Sequence, residues 1–133
     1  MEGDVLSPRR ISGLGSDAVS ISAGENHSIV LFLSGAVMAF GCNKMGQLGL
    51  GQTSDADGTL RTDLGDVRVP REVESLRDKK VVHAAAGMSH TIFLCADGSL
   101  YGCGSAQEGQ LGPSPHLNTD GPNPTPLPIA LDA

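Results

Sequence analysis

The sequence predicts an all-β fold built from repeated sheets, and three observations support it. First, a stretch of the chain occurs twice. Ala23-Gly24-Glu25-Asn26-His27-Ser28-Ile29 returns as Ala86-Gly87-Met88-Ser89-His90-Thr91-Ile92, and Gly46-Gln47-Leu48-Gly49 returns as Gly109-Gln110-Leu111-Gly112. The offset is 90 − 27 = 63 residues and holds without a gap from Val19/Val82 to Gly49/Gly112. Of the 27 positions from Ala23 to Gly49, 11 are identical to their counterparts, where chance gives roughly one or two. A fixed period of this size marks a repeat architecture. Second, the apolar residues fall in short runs or alternate with period two, and little of the chain has helical period. Third, 18 Gly stand beside one Tyr, three Phe and no Trp, which suits turns joining many short strands.

Taken in order, the first element is Pro8-Arg9-Arg10-Ile11, which matches Pro70-Arg71-Glu72-Val73 and Pro126-Leu127-Pro128-Ile129. Proline suits the start of a short or edge strand, where its missing N–H does no harm. Val19–Ala23 alternates Val, Ser, Ile, Ser, Ala and predicts a strand with one buried face. Ser28–Leu33 and Ala36–Phe40 are apolar runs of strand length separated by Ser34-Gly35, whose place Asp97-Gly98 takes in the second copy. That spacing predicts a hairpin with a type I′ turn, whose two central residues both need positive φ. Leu94-Cys95-Ala96 and Ser99–Cys103 repeat the pattern with smaller side chains. Two segments vary: an acidic linker, Gln52–Val69, and a proline-rich one, Pro113–Pro128, expected as a stiff surface connection. The resulting bounds are a first repeat at about 8–69, a second at about 70–125, and the start of a third at about 126–133. Four-stranded units of this length with Gly-rich connections make a β-propeller, here about two blades of four antiparallel strands.

Composition narrows the function classes. The formal charge is −6 and the pI near 5.0, and no Lys/Arg run exceeds two residues, which argues against a grip on nucleic-acid phosphates. No apolar run approaches the roughly 20 residues of a membrane span, and residues 1–15 lack the apolar core of a signal peptide. Cys42, Cys95 and Cys103 are odd in number and not period-matched, as expected of reduced structural thiols in an intracellular protein of cytoplasm or nucleus.

The pattern A-G-x-x-H-[ST], then G-x-[VL], then G-x-x-x-x-G-Q-L-G, then P-x-x-[VI], from Pro8 to Ile129, resembles the repeat of the regulator of chromosome condensation family. The resemblance implies a seven-bladed propeller in which each sequence repeat contributes strands to two neighbouring blades. This chain departs from it in having two full repeats, in carrying Cys103 where the first copy has the aromatic Phe40, and in reading Gly112-Pro113 against Gly49-Leu50-Gly51. The resemblance implies three uses: exchange of guanine nucleotide on a Ran-type GTPase, docking on chromatin, or scaffolding. Chromatin docking in the family favours basic elements, and its ultraviolet-sensing branch depends on clustered Trp. An acidic chain without Trp therefore points to a protein-interaction scaffold, with a guanine nucleotide exchange factor as the alternative.

The residues that invite chemistry read as structural. A general base needs one set of neighbours, yet His27 and His90 hold equivalent places in two units; they are expected to bond nearby backbone and to be interchangeable in role. Gly46–Gly51 is not in the order of a phosphate loop and no helix pattern follows. No C-x-x-C or H-x-x-x-H pairs the Cys and His residues. Setting Gly58 at the sixth position of a calcium loop puts Arg61 at the ninth and Leu64 at the twelfth, which no cation would choose. Asn26-His27-Ser28 is a formal glycosylation sequon set against a buried strand, and the proline-rich segment has no P-x-x-P. No catalytic, metal or cofactor site is expected. Gly24, His27, Gly35, Gly41, Gly46, Gln47 and Gly49 in the first copy, and Gly87, His90, Gly98, Gly104, Gly109, Gln110 and Gly112 in the second, are expected as structural repeat residues. The candidate partner-binding loop comprises Asp55, Asp57, Arg61, Asp63 and Asp66, since loops that differ between repeats gather on one rim. The expected partner is a protein, possible GTPases included, and open strand edges predict self-association of the chain alone.

Overall fold

The computed structural model describes residues 7–11, 14, 15, 17–54, 60–62, 65–112 and 116–129, with backbone alone at 52–54 and 60–62. The described strands are β1 (Ala18–Ala23), β2 (His27–Phe32), β3 (Val37–Gly41), β4 (Gln52–Ser54), β5 (Leu60–Thr62), β6 (Val67–Glu72), β7 (Val81–Ala86), β8 (His90–Cys95), β9 (Leu100–Gly104) and β10 (Leu127–Ile129), with a 3-10 turn at Glu74–Leu76. They form two four-stranded sheets, in the orders β1-β2-β3-β6 and β7-β8-β9-β10, and a two-stranded ribbon β4-β5. Every pairing is antiparallel. The fold is all-β with two four-stranded blades.

Each blade closes on the element that follows its repeat. Pro70-Arg71-Glu72 lies in β6 and pairs back onto β3, and Leu127-Pro128-Ile129 is β10 and pairs back onto β9. Both are edge strands, which is where Pro70 and Pro128 can lack an N–H. The upstream match does not follow them: Pro8–Ile11 lies in no strand and is exposed. Its counterparts pair with a strand that precedes them, and no described strand precedes Pro8.

Three further expectations are corrected. Val19–Ala23 alternates as read, but the strand is not half-buried: Val19 and Ile21 are 60% and 62% exposed. Ser22 is the residue turned to the other sheet, its Oγ accepting from Ala86 N–H at 3.0 Å. The hairpins are not type I′. Ser34 and Asp97 keep negative φ, while Gly35 and Gly98 lie at +92° and +89°. Gly35 N–H donates to the Phe32 carbonyl and Gly98 N–H to that of Cys95, each at 2.9 Å. That is a type I turn followed by a left-handed glycine, the three-residue hairpin loop. Nor is Gln52–Val69 mere linker. It contains β4, β5 and the start of β6, whose Val67 is 4% exposed.

The core lies between the two sheets. Ile29, Leu31, Val37 and Ala39 of the first meet Ala84, Phe93, Cys95 and Cys103 of the second, with Leu48, Val67, Val73, Leu76 and Val81 around them. Strand residues alternate between faces, so Val30, Phe32, Met38 and Phe40 point away from this core, as do Ile92, Leu94 and Leu100. Under the 63-residue offset, Ile29 corresponds to Ile92 and Val30 to Phe93. The first sheet therefore uses one face of the repeat and the second sheet the opposite face. The blades stack front to back, not front to front.

Candidate functional site

The most polar buried feature is the joint between the blades. His27 sits at the start of β2 and is 3% exposed, and Thr91 of β8 is fully buried. His27 Nε2 lies 2.9 Å from Thr91 Oγ1, and Thr91 Oγ1 donates to the Gln47 carbonyl at 2.6 Å. A hydroxyl has one proton; Thr91 spends it on Gln47, so it accepts from His27, and His27 carries its proton on Nε2. Nδ1 is buried without a hydrogen bond. Burial lowers the His27 pKa, with the His90 backbone opposing in part and the His90 charge adding to the fall. Cys103 Sγ reaches the same Gln47 carbonyl at 3.4 Å, and burial pushes its thiol far above the ordinary range.

The two histidines are thus equivalent in sequence but not in surroundings. The backbone carries the local turn in both copies: Gly24 N–H donates to the His27 carbonyl and Gly87 N–H to that of His90. The His27 side chain does not brace nearby backbone, as its motif suggested, but reaches 64 residues along the chain. His90 is half-buried and burial lowers its pKa too. Among the described residues none does for His90 what Thr91 does for His27.

The paired glutamines hold their own loops. Gln47 Oε1 accepts from Met45 N–H at 3.0 Å and Gln110 Oε1 from Glu108 N–H at 2.7 Å. Gly49 N–H donates to the Gly46 carbonyl, and Gly112 to that of Gly109. Two residues absent from the sequence expectations join them. Asn43, 1% exposed, accepts from Leu48 N–H at 3.0 Å. Asn123, 4% exposed, donates through Nδ2 to the carbonyls of Gly104 and Asn118, each at 2.9 Å. Its N–H also donates to the Met45 carbonyl at 3.1 Å, and Gly51 N–H to that of Pro124 at 2.9 Å. The proline-rich segment, expected as a surface connection, therefore clasps the first Gly46–Gly49 turn to the second blade. Asn43 aligns with Ala106, so the repeat comparison could not flag it; Asn123 lies beyond the matched stretch.

Of the candidate partner loop, Asp55, Asp57 and Asp63 lie outside the described residues, and Arg61 is placed by backbone alone in β5. Asp66 is exposed and lines a concavity of about 670 Å³ with Asn26, Phe40, Gly41, Cys42, Lys44, Val67 and Arg68. It is shallow and of mixed polarity. Among the described residues no three His, Cys, Asp or Glu gather closely enough to hold a metal ion. Cys42, Cys95 and Cys103 are all free thiols. Among the described residues no helix is long and apolar enough to cross a membrane.

Comparison with known proteins agrees with this geometry. The regulator of chromosome condensation (RCC1) repeat matches residues 34–94 in one description, and 18–47 and 81–110 in another. The chain is 39% identical over 107 residues to the probable E3 ubiquitin-protein ligase HERC4 of Rattus norvegicus, a match that covers 80% of this chain and 9% of that protein. It is 33% identical over 120 residues to the ultraviolet-B receptor UVR8 of Arabidopsis thaliana, covering 90% of this chain and 25% of the receptor. Among solved structures, Prp20p from Saccharomyces cerevisiae, described with its binding properties to Gsp1p and histones, superposes with a TM-score of 0.73 at 23% identity. That superposition covers 96% of this chain and 29% of Prp20p, and supports the fold alone. The chain spans a quarter or less of the curated relatives it matches.

Proposed function

The chain belongs to the regulator of chromosome condensation repeat family, and from that premise we propose that it serves as a protein-interaction scaffold without chemistry of its own. The supporting observation is the fate of its polar residues. His27, Thr91, Gln47, Asn43 and Asn123 are committed to joining turns and blades, and His27 has Nε2 bonded to Thr91 and its lone-pair nitrogen Nδ1 buried away from solvent. The ubiquitin ligase named among the relatives shares 9% of its length with this chain, so its activity does not transfer. Nor is light sensing proposed for a chain without Trp.

We place partner contact at the acidic loop, Asp55, Asp57, Arg61, Asp63 and Asp66, with Asp66 opening onto the concavity beside Lys44 and Arg68. A partner docking there is basic, and its association slows with salt. Free thiols in all three Cys favour a reducing compartment, cytoplasm or nucleus. The test replaces the four aspartates by asparagine and compares proteins captured at low and moderate salt. Loss of a salt-sensitive partner is expected; an unchanged partner set refutes the loop as the site. Exchange on a Ran-type GTPase is the second reading, suggested by the relative described with Gsp1p binding. Two blades are expected to leave GDP release unaccelerated, and stimulation at substoichiometric chain would put exchange first.

A further inference from the structure

Two positions at which the repeat copies differ meet on one rim of the molecule. Leu33 N–H donates to the Asp17 carbonyl at 3.1 Å, and Ala96 N–H donates to the Lys80 carbonyl at 2.8 Å. These are one contact in two copies, because Asp17 and Leu33 become Lys80 and Ala96 at the 63-residue offset. The backbone does the holding in both, so the fold dictates neither the apolar side chain of Leu33 nor the charge of Lys80. Leu33 is 74% exposed on the hairpin loop that ends β2. Lys80 lies against that loop: a Cβ added to Gly35 would be 2.9 Å from Lys80 Cγ.

Between them lies a notch of about 210 Å³ with walls from both blades: Val19, Leu31 and Leu33 on one side, Lys80, Val81 and Val82 on the other. Val19 and Val82 are equivalent, and each is the extra residue of a bulge. Ala18 and Ser20 pair with Phe32 and Leu31, and Val81 and His83 with Cys95 and Leu94. A bulge re-aims its side chain out of the ladder, and Val82 stays 46% exposed with the first sheet packed against its own. Because the blades stack front to back, a further blade would cover an outward face and not this groove between two consecutive sheets. Lys80 is the one charged residue lining the notch, and among the described residues its ammonium has no ion pair or hydrogen bond. Of the two carboxylates in the adjoining hollow, Asp97 accepts from the Ser99 N–H and hydroxyl, and Asp78 acts on Lys79. The notch is smaller than the roughly 300–1,000 Å³ of small-molecule sites, so it suits a single side chain.

Resting on the scaffold reading and adding a second partner surface to it, we propose that this notch docks an acidic segment of a protein partner. One branched apolar side chain sits among Val19, Leu33 and Val82, and a neighbouring carboxylate meets Lys80. The notch opens at the Val37 end of β3, whereas the acidic loop leaves from Gly41, where β3 pairs with Val67. The two ends of the blades thus offer surfaces of opposite preference, one for a basic partner and one for an acidic one.

The probe is a fluorescein-labelled acidic heptapeptide with leucine at its centre, titrated with the full chain by fluorescence anisotropy at low and moderate salt. Control peptides replace the central leucine by serine, or every acidic residue by lysine. Saturable binding of the acidic peptide is expected, with amide NMR shifts gathered around Leu33, Lys80 and Val82. The serine peptide is expected to bind at least about tenfold more weakly, which is what burying one leucine side chain supplies. Lys80→Ala is expected to weaken binding roughly two- to fivefold, as loss of an exposed ion pair does, and to reduce its salt dependence. Leu33→Ser removes one wall of the notch and is expected to weaken binding without changing the melting curve, since the side chain is exposed. Where Leu33→Ser does not fold, Leu33→Ala, the residue of the second copy, replaces it. An acidic peptide that does not bind, a lysine peptide that binds as well, or variants that bind like wild type would overturn the proposal. So would a peptide-free Leu33→Ser chain that sediments as a smaller species than wild type, because a second copy would then be the occupant. Absence of peptide binding together with a salt-sensitive partner lost on replacing the loop aspartates would remove this proposal and leave the scaffold reading standing.

Discussion

Thr91→Val isolates the buried joint, because valine keeps nearly the shape of threonine and removes only the hydroxyl. Two hydrogen bonds go with it: the one accepted from His27 at 2.9 Å and the one donated to Gln47 at 2.6 Å. Each is worth about 1 kcal/mol net, but an N–H left buried without an acceptor costs about 1–3 kcal/mol. The Gln47 carbonyl keeps a weak donor in Cys103 Sγ at 3.4 Å, so the larger loss falls on His27, which is 3% exposed. The expected cost is about 2–4 kcal/mol, a large fraction of the 5–15 kcal/mol that typically holds a domain together. Urea and thermal melts read it directly. Ser28→Ala at the equivalent position should change the stability of the dilute chain by less than about 0.5 kcal/mol, as a surface change does. The double variant His27→Ala/Thr91→Val should lose less than the sum of the single losses, since the two residues share one interaction. Near-wild-type melting of Thr91→Val, or strict additivity in the double variant, would refute the bridge as a stabilising element.

Acidification should destabilise the fold through the same histidine. Its folded pKa lies below the ordinary 6.5, so between the two values the unfolded chain binds more protons and stability rises with pH. The contribution is complete above about 6.5 and is lost as pH falls toward the folded pKa, by at most about 1.4 kcal/mol per pH unit for His27; melts of wild type and His27→Gln from pH 7 downward should diverge in slope. Gly46→Ala should cost more than Gly98→Ala. Both glycines have positive φ, +81° and +89°, for roughly 1–2 kcal/mol each, but a Cβ on Gly46 would lie 2.5 Å from Pro124 Cα while one on Gly98 meets nothing within 4 Å. Equal losses in denaturant melts would contradict the Pro124 contact. A thiol reagent should modify Cys42 in the native chain and reach Cys95 and Cys103, 3% and 0% exposed, only on unfolding; three rapid equivalents without denaturant would show that the core opens.

Strand existence and most of the turns were legible because they depend on local chemistry. The runs at Ser28–Leu33 and Ala36–Phe40 are apolar over strand length, and Gly35 and Gly98 supply the one backbone position that needs positive φ. The turn type was misread because Ser-Gly and Asp-Gly serve two hairpin loops, distinguished by which residues carry the left turn, and spacing does not show that. The exposure of Ile21 was illegible for another reason. Alternation shows that a strand has an apolar face, not that another layer covers it. For His27 the repeat gave the position and the partner Thr91 lay in the other copy of the same motif, but a one-dimensional comparison aligns Thr91 with Ser28, not with the histidine it meets. Asn123 was hidden among prolines whose composition speaks for a linker, although its backbone N–H bonds Met45 in the first copy and Gly104 in the second.

The offset between motif and sheet has a consequence for how such a molecule can be cut and rejoined. A boundary drawn before Pro70, where the recurring motif begins, falls inside β6, leaves the first sheet only Val67–Val69 of its fourth strand and strips Ala39 of β3 of its partner Arg71. A cut after Val73, ahead of the 3-10 turn at Glu74–Leu76, keeps the first sheet whole and separates the strands of one blade from those of the next. The unit that can be exchanged between chains of this type, or duplicated within one, is therefore the blade rather than the motif. Shuffling experiments that respect Val73 should yield folded chimaeras, while those that respect Pro70 should ask each graft to borrow its last strand from a neighbour it was not built with.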